Sequence, residues 1–272
     1  MPHFTAPDGA SIYFEDSGEG LPLLCLSGLT RNGRDFDFLA PHLTGVRMIR
    51  MDYRGRGLSA WTGADSYTLP TEAGDALALL DHLGLEAAAV LGTSRGGLIG
   101  MFLAATAKDR LLGLALNDVG PVVDPKGLEV IAGYIGIDPP YRDLEEAALA
   151  RMAHPAFPGV PKDRWLKDAA HSFAVTPDGL KITYDPALRD AVLASMDQPT
   201  PDLWPLFQAL DGLPLAAIRA AHSDILAPDT LARMKEIFPS MITTTVPDRG
   251  HVPFLDEPQA LAALQDWLEL MQ

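Results

Sequence analysis

Residues 86–110 read EAAAVLGTSRGGLIGMFLAATAKDR, and the reading of this stretch decides the fold. Its first part, through Thr93, is short, small and apolar, the composition of a strand buried on both faces. From Gly96 onward the chain runs longer and ends in charge, which predicts a helix. Ser94 therefore falls at a strand-to-helix junction, between Gly92 and Gly96. Gly and Ser are also ordinary turn residues. A Gly-rich junction can instead cradle phosphate, but neither GxxxxGK[ST] nor GxGxxG occurs here. The surrounding chain has to decide between a plain turn and an exposed nucleophile.

Outward from this junction the pattern alternates. Upstream, PHFTAP and SIYFEDSG, separated by Asp8-Gly9, predict an antiparallel hairpin. LPLLCLSG (21–28) follows as strand, RDFDFLAPHL (34–43) as helix, VRMIRMD (46–52) as strand and LPTEAGDALALLDHLG (69–84) as helix. Downstream, LLGLALNDVG (111–120) is a further strand. Strands alternating with helices of this length imply right-handed crossovers and a mostly parallel sheet covered on both faces. The expectation is an α/β fold with eight strands.

The rhythm breaks from Pro121 to about Leu210. GLEVIAGYIG, DLEEAALARM, PKDRWLKDAA and YDPALRDAVLASM read as helices, separated by Pro139-Pro140, Pro155, Pro158 and Pro161, and no buried strand is expected among them. The alternation then returns with PLAAIRAAHS, APDTLARMKEIFP, ITTTVPDRG and QALAALQDWLEL. Residues 1–120 and 211–272 are thus expected to form one core, and 121–210 a helical cap. Loops at the carboxyl ends of parallel strands tolerate such insertions and are where ligands bind.

Composition narrows the partners. With 272 residues and 47% hydrophobic content the chain can bury a large core. Its 21 basic and 36 acidic residues leave a formal charge of −15, which repels nucleic acid and anionic membrane surfaces and favours a small-molecule partner. The single cysteine, Cys25, lies in an apolar run and reads as a buried small hydrophobe, so no internal disulfide and no cysteine zinc site are expected. The N-terminus has no basic region followed by an apolar core, and no run reaches the roughly 18 apolar residues of a membrane helix. A cytoplasmic location is the expectation.

A serine hydroxyl is a weak nucleophile at neutral pH, so Ser94 needs a general base, and the base needs a carboxylate to fix its tautomer. Seven histidines are present. His3, His42 and His82 fall in the terminus, a helix end and a helix, while His154 and His171 fall in the expected cap. Only His222 and His251 follow strands at the carboxyl edge, and His251, in DRGHVPFLDEP, alone has a glycine before it. For the carboxylate, Asp224 in AAHSDILAPD and Asp118 in LNDVGP both follow strands, and the chain order Ser, Asp, His holds for either. Asp224 is favoured, because the loop before the final strand delivers an acid beside the loop that delivers the base. Asp118 is then read as a helix cap or a loop residue.

Ser27-Gly28-Leu29, MDYRGRGLS from Met51, GTSRGG from Gly92, SDIL from Ser223 and GHVPFLDEP from Gly250 together resemble the motif series of the α/β-hydrolase fold. The resemblance is to the capped bacterial hydrolases that include esterases, enol-lactonases and carbon–carbon bond hydrolases, and it spans about residues 8–120 and 211–270. It implies Ser94 as nucleophile on a strained elbow, Asp224 as acid, His251 as base, and the backbone N–H groups of Leu29 and Arg95 as the oxyanion hole. It also explains the glycines: Gly92 and Gly96 leave room for close approach of strand and helix. The family usually carries His-Gly where this chain has Ser27-Gly28, which leaves the hydrogen bonding of the loop carrying Leu29 open. The Arg95 side chain is either an attractor of anionic substrates or half of a structural ion pair. Asp52, Arg54 and Arg56 are read as a structural loop rather than a phosphate site, and His222 with Asp224 is not read as a metal site. The aromatics Tyr134, Phe157, Trp165, Phe173 and Trp204 are read as cap packing. The function implied is cofactor-free hydrolysis of small, moderately apolar carboxylic esters or lactones. A carbon–carbon bond hydrolase of diketone-type substrates and a ligand-sensing receptor stay open beside it.

Overall fold

Every residue of β5 (Ala88–Thr93) is buried, which makes this strand the spine of the fold. The computed structural model describes residues 2–272. β5 pairs in parallel with β3 (Leu21–Leu26) on one side and β6 (Leu111–Asn117) on the other. The remaining strands are β1 (His3–Thr5), β2 (Ser11–Ser17), β4 (Val46–Met51), β9 (Leu215–Ala220) and β10 (Ile242–Val246). They complete an eight-stranded sheet in the order β1-β2-β4-β3-β5-β6-β9-β10. β1 and β2 form the expected antiparallel hairpin, and β2 runs antiparallel to β4; all other neighbours are parallel. The carboxyl ends of the parallel strands consequently share one edge, where the loops after β3, β5, β6, β9 and β10 emerge.

Side chains alternate across this sheet, and both faces are filled. Ala88 and Val90 of β5 join a core with Ala76 and Leu79 of α1 (Leu69–His82), Ile99 and Leu103 of α2 (Arg95–Thr106) and Met234 of α8 (Pro228–Ile237). Ala89 and Leu91 face the other way, onto Phe36, Leu39 and the Leu264 and Trp267 side chains of α9 (Pro258–Glu269). Cys25 is fully buried in this second core, as expected.

Two of the expected elements differ in the structure. RDFDFLAPHL is not an α-helix but two 3-10 turns, Gly33–Asp37 and Ala40–His42. Pro41 has no N–H to give to a carbonyl four residues back, so no α-helix runs through it. Residues 121–210, expected to be helical, also contain strands. Between α5 (Lys162–Ser172) and α6 (Leu188–Met196), β7 (Phe173–Thr176) and β8 (Gly179–Ile182) form a hairpin whose turn carries Gly179 at φ +111. Only Leu180 of the pair is buried, so the apolar run that marks a core strand is missing.

The other helices of residues 121–210 are α3 (Pro125–Tyr134), α4 (Leu144–Met152) and α7 (Trp204–Gln208). Asp124 and Asp143 cap α3 and α4 with side-chain acceptors for Lys126 and Glu146 N–H. The segment is fastened to the core's carboxyl edge. Asn32 Nδ2 donates to His171 O at 2.9 Å, Arg31 pairs with Asp168 at 2.5 Å, and Arg164 pairs with Asp256. Among the described residues no helix is long and apolar enough to cross a membrane.

Candidate active site

Ser94 sits where β5 becomes α2, with φ 50 and ψ −113, a conformation that costs a non-glycine residue free energy. The neighbouring glycines permit the sharp turn. A Cβ on Gly92 would lie 2.4 Å from Gly96 C and Gly97 N, and one on Gly96 would lie 2.0 Å from Leu26 O. Ser94 N–H donates to Asn117 O at 3.0 Å, so the turn is also tied to β6.

His251 reaches Ser94 from the loop after β10. Its Nε2 lies 2.9 Å from Ser94 Oγ, and its Nδ1 lies 2.7 Å from Oδ2 of Asp118. Asp224 is the carboxylate expected at this place; the structure brings Asp118 there instead. Asp118 follows β6, is fully buried, and has φ 55, which turns it from the strand toward the imidazole. Its Oδ1 accepts Ala220 N–H at 2.8 Å, and its Oδ2 also accepts the Ser223 hydroxyl at 2.7 Å. Asp224 is exposed. The reason lies one residue earlier: Ser223 Oγ accepts N–H of Ile225 (3.2 Å) and Leu226 (2.9 Å), so the loop folds with Ser223 inward.

The hydrogen bonds define the tautomer. A carboxylate fed by two donors, Ala220 N–H and Ser223 O–H, accepts a third from Nδ1–H, which leaves Nε2 as acceptor toward Ser94. The His251 loop is held in turn by Asn117, whose Nδ2 donates to Thr93 Oγ1 at 3.1 Å and Pro253 O at 3.3 Å. Such an arrangement can take a proton from the serine as it attacks a carbonyl and return it to a leaving group.

Leu29 and Arg95 are the two residues expected to offer main-chain donors. Arg95 is the first residue of α2, so its N–H has no intrahelical acceptor and lies at the positive end of the helix dipole. The loop carrying Leu29 answers the question raised by Ser27. Ser27 O accepts Gly96 N–H and Tyr53 O–H, each at 3.1 Å, and Leu29 O accepts Arg56 Nε at 2.8 Å. The loop is thus held through its carbonyls, while Ser27 Oγ is buried without a partner. The Arg95 side chain is half of an ion pair, its Nε 2.5 Å from Glu72 Oε2, which leaves it unavailable as a free anion attractor.

In the MDYRGRGLS stretch the charged side chains of Asp52 and Arg54 are engaged within the protein. Asp52 accepts N–H of Gly33 at 2.7 Å and Leu58 at 2.9 Å, and Arg54 pairs with Asp75 and Asp8, each at 2.7 Å. Among the described residues, no group of three or more His, Cys, Asp or Glu side chains is placed to hold a metal ion.

Residues 23–264 match the sequence model of the alpha/beta hydrolase family. A 3-hydroxybutyrate-oligomer hydrolase of Cupriavidus necator is 36% identical over 251 residues, covering 88% of this chain and 85% of that protein. The crystal structure of an alpha/beta hydrolase from Novosphingobium aromaticivorans superposes with a TM-score of 0.91 at 36% identity, over 98% of this chain and 97% of that one. A thermophilic esterase from Thermogutta terrifontis, at 24% identity and a TM-score of 0.76 over 100% and 99% of the chains, shares the fold.

Proposed function

Because the chain belongs to the alpha/beta hydrolase family, we propose that it is a serine hydrolase of short, moderately apolar carboxylic esters, with Ser94 as nucleophile, His251 as base and Asp118 as the acid that orients it. The observation that carries this reading is the unbroken hydrogen-bond chain from Ser94 Oγ through His251 to Asp118, with steps of 2.9 and 2.7 Å.

The reaction follows from the geometry. Ser94 Oγ attacks the ester carbonyl and gives its proton to His251 Nε2, and the imidazolium is stabilised by Asp118. The carbonyl oxygen becomes an oxyanion, which accepts hydrogen bonds from the Leu29 and Arg95 N–H groups; one such donor is worth roughly 10²–10³ in rate. His251 then protonates the departing alcohol, leaving an acyl-serine. A water deprotonated by His251 attacks the acyl carbon and releases the acid, restoring Ser94. No cofactor enters. Residues 121–210 act as a cap, because they are fastened to the edge from which Ser94 and His251 emerge and Ala156 and Phe157 abut Gly250.

Oligomers of 3-hydroxybutyrate are chains of ester linkages between short hydroxy acids, so the likeness to a hydrolase of that name supports ester cleavage over carbon–carbon cleavage. The test is hydrolysis of 3-hydroxybutyrate dimer and trimer, a graded series of p-nitrophenyl esters and a set of lactones, followed by titration of released acid. The expected result is turnover of short-chain esters that is lost in Ser94→Ala. Turnover surviving in Ser94→Ala overturns the assignment.

A further inference from the structure

A buried charge network that the hydrolytic scheme does not use touches both Leu29 and Arg95. Glu72, in the first turn of α1, is completely buried. Its Oε1 accepts Arg56 Nη1 at 2.7 Å and its Oε2 accepts Arg95 Nε at 2.5 Å. Arg56, also fully buried, donates through Nε to Leu29 O at 2.8 Å and through Nη1 to Arg54 O at 2.7 Å, and its guanidinium lies 5.2 Å from the centroid of the Tyr67 ring. Arg95 Nη2 completes the set by donating to Tyr67 O at 3.0 Å. One carboxylate therefore joins the residue after the nucleophile to the guanidinium that grips the Leu29 loop.

We propose that Glu72 is a positioning residue for the oxyanion hole: by clamping Arg95 and Arg56 together it fixes the spacing of the Arg95 and Leu29 N–H groups, and this rests on the serine-hydrolase reading above. A buried ion pair is a poor source of stability, since desolvation offsets much of its attraction, and well-packed apolar side chains usually serve as well. What apolar side chains do not supply is a directed link of three hydrogen bonds between the Leu29 loop and the first residue of α2. The network also carries two guanidinium groups against one carboxylate. That excess positive charge favours an oxyanion held by the Leu29 and Arg95 N–H groups, and burial of Arg56 keeps water from screening it.

The experiment compares wild type with Glu72→Gln, Arg95→Met and Arg95→Lys, using p-nitrophenyl butyrate and an alkyl boronic acid as tetrahedral transition-state analogue. Rates are normalised to active sites titrated by the p-nitrophenol burst, so a misfolded fraction does not enter. For Arg95→Met and Glu72→Gln the expected result is a fall in kcat of roughly 10- to 100-fold, with KM changed by less than about threefold. Boronate affinity should weaken in step with kcat, and Arg95→Lys, which can still pair with Glu72, should recover most of the loss. If Glu72→Gln fails to fold, the two Arg95 variants carry the test, because that side chain is 15% exposed. Unchanged kcat and boronate affinity in Arg95→Met overturn the proposal, as does a loss of kcat with boronate affinity intact. Ser94→Ala run alongside separates the two claims: residual turnover there refutes the serine-hydrolase reading itself, whereas an inactive Ser94→Ala beside an unaffected Arg95→Met refutes only the role of Glu72.

Discussion

Asp118→Asn isolates the point at which the structure and the sequence disagree. Ala220 N–H donates to Oδ1 of Asp118 at 2.8 Å, so an asparagine there keeps its carbonyl oxygen on that side and turns its amide NH2 toward His251. The NH2 group then faces Nδ1, 2.7 Å from the replaced oxygen, and only an unprotonated Nδ1 can accept from it. The imidazole is forced into the other tautomer, with Nε2–H pointing at Ser94 Oγ and no lone pair to receive the serine proton. In a serine protease triad the equivalent change costs about 10⁴ in kcat, so a loss of roughly 10³- to 10⁴-fold is expected here, or about 4–5 kcal/mol of transition-state stabilisation. Asp224→Asn alters an exposed carboxylate and should leave kcat/KM within about twofold. The assay is initial-rate hydrolysis of p-nitrophenyl butyrate at pH 7.5, with circular dichroism melts to confirm that both variants fold. Asp118→Asn retaining more than about a tenth of the wild-type rate, or Asp224→Asn losing it, would refute the assignment of the acid.

Three further outcomes follow from single contacts. Ser223→Ala removes one hydrogen bond to the Asp118 carboxylate and should lower kcat/KM about threefold to tenfold; an unchanged value would show that the remaining donors orient the acid unaided. Gly96→Ala places a methyl group 2.0 Å from Leu26 O, against backbone that cannot yield, and should cost several kcal/mol of stability. A thermal melt within about 2 °C of wild type would contradict that reading. His171, 7% exposed, has its pKa pulled down to about 4, chiefly by burial and secondly by the charge of Arg34. The unfolded chain binds that proton near pH 6.5 and the folded one only near 4, so wild type should lose stability relative to His171→Phe as pH falls through this window, by at most about 3 kcal/mol. Parallel urea midpoints for the two proteins from pH 7 to pH 4 would dispose of this idea.

Much of this molecule was legible in its sequence because local pattern and global fold agree. The glycines around Ser94 mark the turn, and the alternation of apolar runs with amphipathic ones marks the sheet and its helices. What escaped was decided by detail finer than periodicity. The β7–β8 hairpin buries almost nothing, so its residues look like loop, although Thr176-Pro-Asp-Gly179 is a recognisable turn signal. The stretch after Asn32 is apolar enough for a helix but breaks at Pro41. The carboxylate partner of His251 was missed for a geometric reason. Loops after β6 and β9 both border His251, since those strands are neighbours, and chain order is the same for Asp118 and Asp224. The side chain of Ser223, which turns the β9 loop so that Asp224 points outward, gave the decision to Asp118. The buried partners of Arg56 and Arg95 were equally hidden: nothing in the spacing of Glu72 from either arginine announces their contact.

In the proposed mechanism catalysis passes through an acyl group on Ser94. Acid-quenching the enzyme within milliseconds of mixing with p-nitrophenyl butyrate, followed by peptide mass spectrometry, tests it most directly. The expected result is a burst of p-nitrophenol matching the enzyme concentration and a butyryl group on the peptide containing Ser94, both absent in Ser94→Ala. Steady turnover with no acylated Ser94, or a burst that persists in Ser94→Ala, would contradict it.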